Sequence, residues 1–216
     1  MTTQRVGGTS GIKSAFFGTA AVGCFVYSAF VLLLMHVLRP DYTPVDHMIS
    51  DYAVGPYGWV MTTAWLAMSC GCAMLMLGFF RDGPASIPAR LGAVLLGVAS
   101  IGLLVTAIFP TDLQGAPATR SGDIHNVSFL VNVGSIFVAT VLLAASFGSD
   151  LRWRAYQRTA IALTLLVVVA FVLQFLTLHR GMPFGIANRF FVIVLFTWFL
   201  TTAIRLRAVA TGISAK

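Results

Sequence analysis

The chain has 216 residues, of which 58% are hydrophobic and only 10% charged, with a mean hydropathy of +0.88. A soluble domain carries roughly 25% charged residues to wet its surface, so a water-soluble domain is excluded and lipid must be the solvent for most of this one. The formal net charge of +7 is distributed between short loops as an orientation signal, not as a nucleic-acid-binding patch.

Apolar runs of about 20 residues, the length that crosses a hydrocarbon core of about 30 Å, fall at about 15–38, 58–80, 89–109, 126–147, 158–178 and 189–207. Inside lipid every backbone amide needs an internal partner, so these runs are helices. The predicted fold class is all-α, a polytopic membrane protein with six transmembrane helices in one bundle. Short loops join them into a single domain over 1–216.

Arg5 and Lys13 precede the first run, as in a signal peptide. The run is too long for one, however, and ends at Met35-His36-Val37-Leu38-Arg39-Pro40 without a small-residue cleavage site. It is expected to stay as span one. Cys24, Cys70 and Cys72 lie near the middle of spans one and two, where they read as small packing residues.

After span one, Thr43-Pro44-Val45-Asp46 has the form of a capped helix start, with Thr43 as N-cap and Pro44 in the first helical position. A short helix is expected from there to about Ala53, stopping at Gly55-Pro56. Within it His47 and Asp51 stand four apart and share a face with Ser50, a spacing that suits two metal ligands or a hydrogen-bonded pair. The same pattern fits a helix lying on the membrane surface with its polar face in water.

Spans two and three carry small residues at packing intervals: Ser69 with Ala73, Ala93 with Gly97, and Gly97 with Gly102. Span four begins with a polar stripe of His125, Ser128, Asn132 and Ser135, all on one helical face. It reads either as the wall of a pocket or as hydrogen-bonding glue between helices. Gln174 and Thr177 on span five, and Thr106 on span three, are candidates for facing walls. The last loop, from His179 to Arg189, is rich in turn residues and contains Arg180 and Arg189. Those two arginines suit an anion such as phosphate or carboxylate, or else pairing with aspartates. Tyr52, Tyr57, Trp59, Trp153 and Tyr156 are placed for aromatic belts at the two interfaces.

Cations fix an expected orientation. Ten of the Lys and Arg residues fall on the side of the termini and four (Arg39, Arg120, Arg180 and Arg189) on the other. Both termini are therefore expected in the cytoplasm, in a plasma (inner) membrane. His36, His47, His125 and His179 then all lie outside, as do Asp41, Asp46, Asp51, Asp112 and Asp123; there is no glutamate. No phosphate-binding loop, dinucleotide fingerprint, zinc-protease helix or nucleophile elbow is present.

Several outer motifs carry a family resemblance: His47-Met48-Ile49-Ser50-Asp51 with Gly55-Pro56, then Phe109-Pro110-Thr111-Asp112, then His125-Asn126. With them the chain resembles the bacterial six-span family catalogued as domain of unknown function 998. The first of these elements is also similar to the Frag1/DRAM/Sfk1 group, associated with lipid-anchor remodelling and lipid organisation. This similarity implies that Ser50, Asp51 and His125 belong to one outer element. The expected function is binding or handling of a lipid or amphiphile in an outward-facing polar pocket, with membrane lipids as partners and no nucleic acid. The expected binding residues are Ser50, Asp51, Asp112, His125, Asn126, Asn132, Arg180 and Arg189. Alternatives are a metal-dependent membrane hydrolase, with His47, Asp51, His125 and His179 holding a divalent ion such as zinc, and a small channel or transporter using the span-four stripe.

Overall fold

A computed structural model describes residues 8–113, 115–178 and 182–212, with side chains from residue 15 onward. Six helices account for most of it: α1 Gly8–Leu38, α2 Gly58–Asp82, α3 Ile87–Ile108, α4 Arg120–Ser146, α5 Leu151–Leu176 and α6 Phe184–Ala210. Each of the six contains a segment long and apolar enough to cross a membrane, and the described residues contain no strand. Two short 3-10 segments, Ile49–Ala53 and Phe147–Ser149, complete the inventory.

Helices α4, α5 and α6 start about five to seven residues before the apolar runs predicted for them. For α4 and α5 the reason is local capping. Thr119 accepts from the Gly122 amide at 3.1 Å and Asp150 from the Arg152 amide at 2.8 Å, so polar first turns are helical without being apolar. Ser86 caps α3 in the same way, with Pro88 in its first turn.

Consecutive helices pack against each other, and α6 returns to α1, closing a ring; α2 and α6 also touch across its interior. Short connections between neighbours give this antiparallel order. Close approach depends on small residues: a Cβ on Gly71 would lie 2.6 Å from the Phe25 ring, and one on Gly102 would lie 2.9 Å from the Asn132 Cβ. Phe25 stacks on Phe199 at 4.7 Å in the centre of the bundle. Leu33, Ile101 and Leu165 stand exposed on the perimeter, as expected of a bundle whose solvent is hydrocarbon.

At the end that carries the termini, Trp153 is fully buried. It stacks on Phe147 at 4.7 Å and donates its indole N–H to the Asp82 carbonyl at 2.9 Å. Tyr156 is also buried, hydrogen-bonding Thr201 and Thr202, and Tyr52 is fully buried at the opposite end. These three aromatics belong to the core, correcting their assignment to interfacial belts; Tyr57 and Trp59 are the exposed ones. Each buried ring has a polar partner at its tip, which is the condition for turning Tyr or Trp inward.

Candidate functional site

Residues 39–57, loop one, fold over the end of the bundle opposite the termini. Arg39 closes the base of the loop. Its Nε and Nη2 hold the Asp41 carboxylate at 2.8–3.2 Å, and its Nη1 donates to the carbonyls of Val54 and Pro56 at 2.6 and 3.2 Å. The guanidinium also lies 3.9 Å over the Tyr42 ring. Hydrogen bonding to Arg39 holds the Asp41 carboxyl below the usual carboxylate range.

The single helix expected from Pro44 to Ala53 is two pieces. Thr43 and Asp46 bond reciprocally and the His47 amide reaches the Thr43 carbonyl at 3.2 Å, which makes one turn. Met48 is then extended, and a 3-10 turn runs Ile49–Ala53. The break comes from Asp51, whose carboxylate accepts the Met48 amide at 2.9 Å and so caps a new start instead of continuing the old one. His47 stacks on Tyr42 at 4.4 Å rather than pairing with Asp51. Its Nδ1 is buried without a partner among the described residues.

Loop one is docked on the start of α6. The Gly185 amide donates to the Val45 carbonyl at 2.9 Å. A Cβ on Gly185 would sit 2.5–2.8 Å from the carbonyl oxygens of Pro44, Val45 and His47, so only glycine permits this approach. Arg189, one turn further, donates from Nη1 to the carbonyls of Pro44, His47 and Gly185 at 2.7–3.0 Å, and from Nη2 to the Tyr52 hydroxyl at 3.1 Å. Its Nε donates to His36 Nε2 at 2.9 Å. That last bond fixes a tautomer. His36 Nδ1 faces the Leu32 carbonyl at 2.7 Å and must carry the proton, which leaves Nε2 as the acceptor on a neutral ring. The expected pairing of Arg189 with an aspartate is not what forms; loop carbonyls surround it instead. Beside it, Asn188 accepts the Ile49 amide at 2.9 Å and donates to Gln174 at 3.3 Å.

Beneath loop one lies a cavity of about 70 Å³ between α2, α3, α4 and α6. Its polar lining is Ser50, Trp65, Thr106, His125, Asn132 and Asn188, and the remainder is apolar. His125 donates from Nδ1 to the Phe109 carbonyl at 2.8 Å, so Nε2 is the nitrogen left as an acceptor. Asn132 donates to Thr106 at 3.2 Å, and Thr106 and Ser128 share a hydrogen bond at 2.9 Å. The Trp65 indole N–H is buried and unpartnered among the described residues. A volume of this size admits a few waters or one small polar group, since each water needs roughly 10–15 Å³ measured this way.

The domain of unknown function 998 model matches residues 12–205. The chain belongs to the DUF998 family. No curated protein and no solved structure matches it.

In this DUF998 protein the sequence-predicted residues separate into distinct places. Ser50, His125 and Asn132 converge on the cavity, joined by Thr106. Asp51, next to Ser50, does not line the cavity, because its carboxylate is held by the Met48 amide at 2.9 Å. Asp112 accepts the Thr119 amide and hydroxyl, both at 2.8 Å, and so fastens the second loop to the start of α4. Asn126 is exposed, a correction to its place in the site: one residue is about 100° of helix, which carries it away from the face of His125. Ser135 is half-buried and does not line the cavity. Arg180 and His179 lie outside the described residues. Among the described residues no three His, Cys, Asp or Glu side chains converge as metal ligands, so His47, Asp51 and His125 do not assemble the expected zinc set.

Four contributors were not singled out as site residues from the sequence: His36 as acceptor for Arg189, Tyr52 under the same guanidinium, Asn188, and Trp65. Asn188-Arg189 did carry a signal, a polar pair immediately before an apolar run; Trp65 carried none.

Burial raises the Asp51 carboxyl above its ordinary value, against a smaller opposing pull from the Met48 amide, His47 and Arg189. A carboxyl raised on folding favours the protonated form, so its contribution is present below the unfolded value of about 4 and is lost as pH rises through the folded one. Asp51→Asn keeps an oxygen for the Met48 amide and cannot ionise. Its thermal stability in detergent, relative to wild type, should therefore improve as pH goes from about 4 toward neutrality. A relative stability that stays flat or falls over that range would contradict this assignment of Asp51.

Proposed function

We propose that this protein binds an amphiphile from the membrane at the loop-one end of the bundle. The observation that carries the reading is the relation between two spaces. The polar cavity under loop one and an apolar groove between α1 and α6 share Ile49, Val192 and Phe196 as a common wall. One layer of side chains thus separates hydrogen-bonding groups from a surface that faces lipid tails. Such an arrangement suits a molecule with a small polar part and an apolar part, and binding sites combine few placed polar groups with an apolar lining in the same way. The similarity of the Ile49-Ser50-Asp51 element to the Frag1/DRAM/Sfk1 group points toward lipid as well. Metal-dependent hydrolysis receives less support because the described histidines and carboxylates do not converge.

The ten-to-four distribution of cations supports cytoplasmic termini in a plasma membrane, with loop one outside and the ligand drawn from the outer leaflet. In intact cells, a membrane-impermeant thiol reagent should label Asp46→Cys and spare Asp150→Cys. The reverse pattern would place the site in the inner leaflet.

Asn132→Leu tests the cavity itself. An interhelical hydrogen bond within a membrane contributes about 0.6 kcal/mol on average, and leucine packing offsets part of its loss. The variant should therefore remain folded, with stability within about 1 kcal/mol of wild type. Lipid extracted from purified wild-type protein and identified by mass spectrometry should contain a species that is depleted in Asn132→Leu and in His125→Ala. Identical lipid content in all three proteins would overturn the proposal.

A further inference from the structure

The groove between α1 and α6 is larger than the cavity and different in character. It has a volume of about 370 Å³, inside the range of roughly 300–1,000 Å³ typical of ligand clefts. Its body is lined by residues such as Ala29, Leu33, Ile193 and Leu200, and its head by His36 and Arg189. From Arg189 to Leu200 the axial distance is about 16 Å at 1.5 Å per residue, about half of a 30 Å hydrocarbon core. The groove is therefore as deep as one leaflet, polar at its head and apolar below.

The charge at that head has no ion-pair partner among the described residues. Arg39 and Arg152 each form a salt bridge with an aspartate, whereas Arg189 has none among the described residues. Its contacts are carbonyls, a tyrosine hydroxyl and a neutral imidazole. His36 adds no charge, because accepting from Arg189 requires its unprotonated Nε2. Asp51 is the neighbouring carboxylate on loop one, but it forms no ion pair with Arg189 and accepts the Met48 amide instead, at 2.9 Å. Among the described residues, four of the five guanidinium N–H groups find acceptors, and one on Nη2 is left for a ligand.

We infer that the α1–α6 groove seats an acyl chain of a membrane lipid with an anionic headgroup, which Arg189 meets at the groove's head. This deepens the amphiphile reading above and rests on it, adding the charge class of the ligand and a seat outside the cavity.

The test uses the full-length protein in mixed phosphatidylglycerol–phosphatidylcholine vesicles, released into native mass spectrometry. Wild type should retain phosphatidylglycerol over phosphatidylcholine by about fivefold, the ratio for the roughly 1 kcal/mol that one cation contributes near an anionic lipid surface. That preference should shrink as salt rises. Ala29→Trp fills the groove from α1 and Thr197→Trp from α6. Neither touches the Arg189 hydrogen bonds, and at least one that keeps the wild-type melting temperature should lose the preference. Equal retention of the two lipids by wild type would overturn the inference. So would a preference that survives in both groove variants. If the preference instead disappears in Asn132→Leu while both groove variants keep it, the ligand sits in the cavity; the amphiphile reading then stands and this inference falls. If no variant of either space changes bound lipid, both fall.

Discussion

Loop one depends on Arg189. A guanidinium at the edge of a hydrocarbon core must find acceptors for its N–H groups, and here the backbone of a loop about 140 residues earlier supplies them. Hydrogen bonds to a charged group contribute roughly 1.5–3 kcal/mol each, about twice a neutral one. The dependence is mutual, because without Arg189 the carbonyls of Pro44 and His47 and the Nε2 of His36 would lose their donor. Gly185 makes the contact possible by admitting three carbonyl oxygens to the helix surface. Asn188 extends it by tying the Ile49 amide to α6 and, through Gln174, to α5.

Once loop one is held, the cavity follows. Ser50 and Ile49 are carried to the mouth of the bundle, where they meet the polar stripe of α4 and Thr106 of α3. The same docking places Ile49 between cavity and groove. It also leaves Arg189 at the head of a leaflet-deep apolar channel. A single basic residue thus organises the cover of one space and the charge of the other, which links the stability of this end of the molecule to its proposed ligand.

The six spans were legible in the sequence because hydrocarbon imposes both length and composition on a crossing helix. Their ends were less so: Thr119 and Asp150 start helices in polar sequence, which hydropathy reads as loop. Among site residues, the stripe of His125, Ser128 and Asn132 was legible from its period, and Thr106 from being a hydroxyl at matching depth. Asn126 entered with His125 as one motif of the family resemblance, and a motif read along the chain does not carry the rotation of a helix. The loop-one helix was misread because Asp51 resembles a helix residue by spacing and acts as a cap by geometry. The partners of Arg189 were beyond reach: backbone carbonyls carry no sequence signal, and His36, Tyr52 and Arg189 come together only through the fold. Trp65 reads from sequence as an ordinary core aromatic.

Hydrogen exchange of the full-length protein in lipid nanodiscs, comparing wild type with Arg189→Gln, tests the central dependence most directly. Amides with few or weak tertiary ties open at low free energy, while packed helices open near the global limit. The structure predicts that the Ile49 amide and its neighbours through Val54 are protected in wild type. In the variant they should exchange faster by an order of magnitude or more, while α2 through α5 remain protected. Unchanged protection of 49–54 in a folded variant would mean that loop one stands without Arg189, and the account of this end of the molecule would fail.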